Sequence, residues 1–309
     1  MMQIKVHGAG IMFSVIFGFT FMFSKVALAF VNPIGLIAYR FLVAFLVFEL
    51  LRLLKLVRIR FQRSHLKMIL LVAILQPVLY FLFEIYGLNR LASSEAGMMI
   101  ALIPIFVSIF GSIFLHEKPK LIQLFFIVLS VSGIILIQAF KSASGFNVEI
   151  VGFLLLLGAV LSAALYNIAS RKASKVLRAH ELTYFMMLFG AVTFNFIYFI
   201  TLVFEQRIPD YYRNLMQIEL LLPVLYLGIV ASIGGFFLIN FALSRLEAHV
   251  ASIYANLATI TAIIAGALFL DESLFYYHYI GAAMIILGVY GTVRNNRHIR
   301  KLNRQFEQV

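Results

Sequence analysis

Apolar residues run almost unbroken for about 20 positions at a time along this chain, a length that crosses a bilayer core as a helix. Short polar stretches separate the runs. In lipid the backbone must satisfy its own hydrogen bonds, which leaves helices or a closed barrel. The runs are continuous rather than alternating, and that selects helices. Ten spans are predicted: Gly8–Phe30, Pro33–Leu54, Leu66–Leu88, Glu95–Leu115, Leu121–Phe140, Ile150–Ser170, His180–Val203, Glu219–Ser244, Ala248–Leu270 and Tyr276–Val293. Ala27-Leu28-Ala29 looks like a signal-peptide cleavage site, but a signal h-region is shorter and has no lysine such as Lys25 near its end. The first run therefore counts as a span.

The pattern occurs twice. One gapless offset lays Tyr86–Leu136 over Phe241–Gly291. It matches Leu88, Arg90 and Leu91 to Leu243, Arg245 and Leu246, Ala96 to Ala251, Gly111 to Gly266, Glu117 to Glu272, and Gly133 to Gly288. In both copies Phe-Leu-x-Glu closes an apolar helix. Further upstream only Ser24-Lys25 and Ser170-Arg171 align, and the first two helices of each half have diverged most. The chain thus divides into a five-helix unit (1–140), a connecting stretch (141–149), a second five-helix unit (150–293) and a basic tail (294–309). An odd number of spans per unit inverts the second copy, an arrangement typical of secondary transporters.

Charge supports this count. Lys5, the 52–67 segment, Lys118, Lys120, the 171–178 segment, Arg245 and the tail carry most of the Lys and Arg; the alternate loops hold only Arg90, Lys141, Arg207 and Arg213. The positive-inside rule puts the rich set, and both termini, in the cytoplasm. The net charge of +12 is then a charge facing anionic lipid headgroups, with no need for nucleic acid. Composition agrees: 63% of residues are hydrophobic and 12% charged, half the charge of an ordinary soluble domain of about 25%. Cysteine is absent, so no disulfide or thiolate metal site exists. There is no Gly-x-x-x-x-Gly-Lys-Ser/Thr loop for ATP, no His-Glu-x-x-His and no Gly-x-Ser-x-Gly. No cofactor or metal is expected.

Charge inside the membrane costs about 2.5–3.5 kcal/mol at a helix centre and marks candidate chemistry. Arg40 is the deepest such residue, with Lys25 and Glu84 at similar or shallower depth on other helices. The three form a candidate cluster near an outer vestibule, for a substrate carboxylate or as a gate. A helix-packing ion pair, and headgroup snorkelling for Lys25, are the alternatives. Glu84 is also the candidate for coupling to protons. Glu49 and Arg52 suit a simple i,i+3 pair. Glu117 and Glu272 end their helices beside the start of the next, where an acid favours the following helix dipole. Gln76, Tyr80 and Glu84 fall at i, i+4, i+8 on the third helix, with Pro77 breaking its ladder. Ser252, Asn256 and Thr259 make a second stripe on the ninth, and Tyr166, Asn167 and Asn240 add polar groups at depth. Each faces either a cavity or a neighbouring helix.

These residues together resemble the drug/metabolite transporter superfamily, and within it the EamA-type ten-helix permeases. Phe17-Gly18 followed by Lys25, Pro33 with Arg40 seven residues on, and Ala96 through Pro104 to Leu115-His116-Glu117 are similar to the family pattern, as are Ala251, Glu272, Gly281 and Gly288. Thr259 in place of a second Pro104, and Phe126 opposite Gly281, depart from it. The resemblance implies export or exchange of small metabolites, often amino acids or related compounds, through a central cavity in a cell membrane, by alternating access. With the stripes, it puts the third and ninth helices along the path. Substrate, lipid and protons are the expected partners. A nucleotide-sugar or sugar-phosphate exchanger shares the architecture but would want several cations, and only Lys25 and Arg40 are available. A membrane-embedded enzyme lacks a catalytic constellation. A non-transporting scaffold predicts silent cavity mutations.

Overall fold

Helices form where the apolar runs predict them, and their ends fall at chemically marked residues. The structure is a computed structural model that describes residues 2–88, 90, 99–141, 150–269 and 274–295. The described residues contain no strand, and ten of their helical segments follow the predicted runs. These are α1 (Met2–Ala27), α2 (Pro33–Leu53), α3 (Arg63–Gly87), α4 (Ile103–Leu115), α5 (Leu121–Lys141), α6 (Ile150–Ala173), α7 (Ala179–Phe204), α8 (Ile218–Arg245), α9 (Ala248–Phe269) and α10 (Tyr276–Arg294). Seven of them, α1, α2, α3, α6, α7, α8 and α9, are long and apolar enough to cross a membrane, and the described parts of α4 and α5 are shorter apolar helices. The chain is an all-helical, multi-pass membrane protein. The connecting stretch at 142–149, the acidic turn at 271–273 and the tail beyond Asn295 lie outside the described residues, as do Glu95 and Ala96.

Local chemistry sets the boundaries. Asn32 caps α2 by accepting the Gly35 N–H at 2.7 Å, and Pro33 occupies the first turn, where its missing N–H costs nothing. Glu181 caps α7, accepting the Arg178 N–H at 2.9 Å and the Arg60 N–H at 3.2 Å, which ties the 55–63 loop to that helix. A short helix, Pro209–Leu215, was not foreseen. It lies over the ends of α2 and α7: Tyr39 donates to the Tyr211 carbonyl at 2.8 Å, and Tyr211 to Asn195 Oδ1 at 2.6 Å.

α8 is widened by π-helical turns over Tyr226–Gly235, and α4 over Gly111–Leu115. α3 is instead kinked within Ile74–Leu79, where the Gln76 backbone is extended. The offset that aligns the halves carries the α3 kink into the α8 segment. π-Helical turns recur at functional sites because they release backbone groups and redirect side chains.

Packing follows the same exchange of halves. α2 packs on α7, and α5 on α10. The contact of α1 with α9 is matched by that of α6 with α4; α1 with α8 by α6 with α3; α2 with α8 by α7 with α3. Large buried aromatics fill the interior, among them Phe13, Tyr39, Phe41, Phe194 and Tyr198. In α5 and α10 the backbones touch. A Cβ on Gly133 would lie 2.7 Å from the Gly281 carbonyl oxygen, and one on Gly281 2.7 Å from that of Gly133. Gly288 and Gly291 receive Phe126, whose carbonyl oxygen would sit 2.5 Å from a Cβ on Gly288. The departure noted at Phe126 is thus accommodated by glycines on the partner helix. Without a hydrophobic drive between helices in lipid, close approach of this kind is what holds them.

We expect Gly288→Ala to force α5 from α10 and lower the melting temperature of the detergent-solubilised protein by about 5 °C, the effect of overpacking by one or two kcal/mol. Gly8→Ala, with nothing within 4 Å of its would-be Cβ, serves as the control and should not lower it.

Candidate functional site

The deepest predicted charge is also the best-held one. Arg40 on α2 is buried, 8% exposed. α8 crosses α2 in direct contact at Gly228, where a Cβ would lie 2.9 Å from the Arg40 carbonyl oxygen. That approach brings Ser232, one turn further along α8, to the guanidinium: Arg40 Nε donates to Ser232 Oγ at 2.7 Å. The Ser232 hydroxyl in turn donates to the Leu227 carbonyl at 2.8 Å, a group five residues back within the widened segment. Phe81 and Phe41 flank the cation, with ring centroids 5.2 Å and 5.7 Å from Cζ.

On α3, just past its kink, Tyr80 donates to Glu84 Oε1 at 2.9 Å. The Glu84 carboxyl and the Tyr80 and Tyr226 hydroxyls all lie within electrostatic range of Arg40. Arg40 and Glu84 do not join in a direct ion pair within 4.0 Å. Among the described residues, the Nη nitrogens of Arg40 and Oε2 of Glu84 have no hydrogen-bond partner, yet they are not among the fully enclosed unpartnered atoms, which are Asn167 Oδ1, Gln217 Oε1 and both ring nitrogens of His249. The free faces of the two charges therefore border accessible space. Tyr226 closes the group towards α1, donating to the Ile16 carbonyl at 3.0 Å and stacking on Phe23 with centroids 4.1 Å apart. A cation and an anion held apart on three helices, each with an open face, can take a guest that carries both charges, or one charge and a proton.

Two expectations need correction here. Gln76 does not complete an i, i+4, i+8 stripe with Tyr80 and Glu84. Its backbone is extended (φ −150°, ψ 122°), so the helical count stops before it reaches Gln76, which is half-buried. Lys25 does not belong with Arg40 and Glu84 either; it is exposed in the last turn of α1 and is absent from the groups acting on them.

The remaining polar candidates separate into other places. Tyr166 and Asn240 meet, but in a closed network: Tyr166 and Ser170 donate to Asn240 Oδ1 at 2.8 Å and 2.7 Å, and Asn240 Nδ2 donates to Thr183 at 3.0 Å and approaches Met186 Sδ at 3.5 Å. Every atom of the Asn240 amide is used, which binds α6, α7 and α8 together. Asn167 donates to the Ala163 carbonyl at 2.8 Å. Ser252 donates to the His249 carbonyl at 3.2 Å, and Asn256 to Ser130 on α5 at 3.0 Å. The α9 stripe is further interrupted by a 3-10 turn at Tyr254–Asn256. No group of three metal-ligating side chains occurs among the described residues.

At the face bearing the basic loops, Glu49 and Arg52 form the expected i,i+3 pair, with Tyr184 donating to Glu49 at 2.9 Å. Glu117 differs from expectation. It serves the start of α9, not of α5: Oε2 accepts the Ala248 N–H at 2.7 Å, and Oε1 accepts from Arg171 Nε at 3.0 Å. The two residues that sequence reasoning missed are Ser232 and Tyr226. For Ser232 a signal was available in the Ala231-Ser232…Gly234-Gly235 run of small residues, which marks a close helix crossing; Tyr226 had none.

Comparison with known proteins fits this picture. The sequence matches the EamA-like transporter family over residues 5–139 and again over residues 150–294. It is 37% identical over 290 residues to the uncharacterized transporter YcxC of Bacillus subtilis, covering 94% of this chain and 93% of that protein. It is 25% identical to a probable amino-acid metabolite efflux pump of Escherichia coli, over 89% of this chain and 90% of the pump. A solved structure with 17% identity superposes with a TM-score of 0.76, covering 93% of this chain and 97% of that one, which establishes a shared fold.

Replacing Asn240 by Leu should strand the Tyr166 and Ser170 hydroxyls, which donate to it, and destabilise the protein by about 1–3 kcal/mol. We expect a lowered melting temperature in Asn240→Leu with the apparent KM for a transported solute unchanged; a raised KM at unchanged stability would return Asn240 to the binding site.

Proposed function

Because the chain belongs to the EamA-like transporter family, we propose that it exports or exchanges small metabolites, amino acids or related compounds, by alternating access across the cell membrane, with Arg40, Tyr80 and Glu84 at the substrate site. The observation that carries this reading is the unpaired state of Arg40 and Glu84. Two opposite charges in a low-dielectric interior normally pair, because each left alone is expensive. Here Ser232 and the flanking aromatics hold the guanidinium by Nε, and both Nη nitrogens remain open. A carboxylate accepts well from such a fork. Glu84, supported by Tyr80, supplies the complementary group for an ammonium or a proton. The amino-acid class is also what the name of the Escherichia coli relative suggests.

In this reading residues 1–140 and 150–293 are the inverted halves that rock about the site. The face carrying Arg58, Arg60, Arg171 and Lys172 is cytoplasmic. The sugar-phosphate alternative loses ground, since the second cation it needs, Lys25, is not among the groups acting on Arg40.

The test is metabolite-resolved flux from one host expressing the wild type, Glu84→Gln or Arg40→Ala, at two external pH values. We expect one solute class to accumulate outside with the wild type. Each variant should lower its flux about tenfold or more, the scale of one lost charged hydrogen bond, while membrane abundance is unchanged. A proton-coupled cycle would also lose its dependence on external pH in Glu84→Gln. Normal flux in both variants would overturn the site. For topology, a single cysteine placed between positions 55 and 63 of this cysteine-free chain should resist an impermeant thiol reagent in whole cells; labelling there reverses the orientation.

A further inference from the structure

We propose that Glu117 is the latch that keeps the basic face of the transporter shut, and that its release from Arg171 and Ala248 opens that face. The proposal rests on the alternating-access reading above, and its test reads accessibility rather than flux. The chain turns sharply to present this carboxylate. His116 adopts the left-handed conformation (φ 57°, ψ 24°), and the Glu117 N–H returns to the Gly111 carbonyl at 3.0 Å. Glu117 belongs to the first half; everything it grips belongs to the second. Oε1 takes the Arg171 Nε–H at the end of α6, and Oε2 takes the Ala248 N–H that opens α9. Arg171 extends the grip through Nη1 to the Leu243 carbonyl at the end of α8, at 2.9 Å. One carboxylate and one guanidinium thus tie the ends of four helices, α4, α6, α8 and α9, across the two halves.

The chemistry suits a reversible contact. Where the halves hold together permanently, as at α5 and α10, backbone rests on glycine and no charge is involved. At Glu117 the side chains of the pair remain 16% and 20% exposed. The pair is mostly shielded yet still in touch with water, which can take up both charges as they part, so it can break during a cycle. The groups it covers, the Ala248 N–H and the Leu243 carbonyl, are backbone groups that helix ends leave unsatisfied and that water can serve equally well. A fully enclosed ion pair would lock the face for good; one still touched by water sets a bias. By the offsets that align the halves, Arg171 corresponds to Lys25 and Glu117 to Glu272, which lies outside the described residues.

The reporter is Ser252→Cys, one turn into α9 from Ala248, at a position only 2% exposed in a chain without cysteine. Thiol labelling is followed from each side in inside-out and right-side-out vesicles. With Glu117→Gln we expect labelling from the basic face to speed up about tenfold, with no rise from the opposite face. The charge exchange Glu117→Arg with Arg171→Glu should slow it again. Unchanged labelling, or an equal rise from both faces, overturns the latch, the second because it reports general loosening. Arg171→Gln removes the same contact from the other partner; if it and Glu117→Gln both fail to insert, the pair is structural and the proposal falls. Should Arg40 and Glu84 variants transport normally while this labelling changes as expected, the latch stands and the site assignment fails.

Discussion

In the core of a bilayer no water rescues a polar group left without a partner, and most of this molecule is arranged around that fact. Helices satisfy their own backbones. Asn240 is saturated by four neighbours on two other helices. Against this background, a guanidinium anchored by one nitrogen and a carboxylate anchored by one oxygen, close but unjoined, stand out. The surroundings pin both so that they cannot collapse onto each other: Ser232 and the two phenylalanines on one side, Tyr80 on the other. In the proposed substrate site, the energy withheld from a direct ion pair would be available to a guest that enters between them.

The kink of α3 and the π-helical stretch of α8 belong to the same logic, since each adjoins the charged group: Tyr80 follows one, while Tyr226 and Ser232 lie within the other. The Ser232 hydroxyl donates to the Leu227 carbonyl inside that stretch. Distant from the site, contacts divide by chemistry. α5 and α10 meet through glycines, while the contact at Glu117 is an ion pair that water still touches.

Much of this was legible in the sequence. Continuous apolar runs placed the helices to within a few residues because span length is fixed by bilayer thickness, and the i,i+3 geometry of Glu49 and Arg52 needs only one helix. Arg40 near Glu84 followed from depth alone. What failed required knowing which helices touch. Gln76 left the stripe because Pro77 disrupts the period on which the stripe was counted. Glu117 was assigned to the helix next in sequence, when the free N–H nearest in space belonged to α9. Ser232 carried no charge; the small residues around it mark a close crossing, but only the contact with α2 at Gly228 says which helix it meets. Asn240 looked like a cavity group, since a polar residue at depth reads the same whether its partner is a solute or another helix.

The positions of these two irregular segments have a mechanical consequence. A helix bends most easily where its hydrogen-bond ladder is already interrupted. Tyr80 follows the kink of α3, and Ser232, which receives Arg40, lies inside the π-helical stretch of α8. The weakest points of the two helices therefore adjoin the costliest charges in the bundle, and a bend at either would turn about the charged group rather than carry it bodily away.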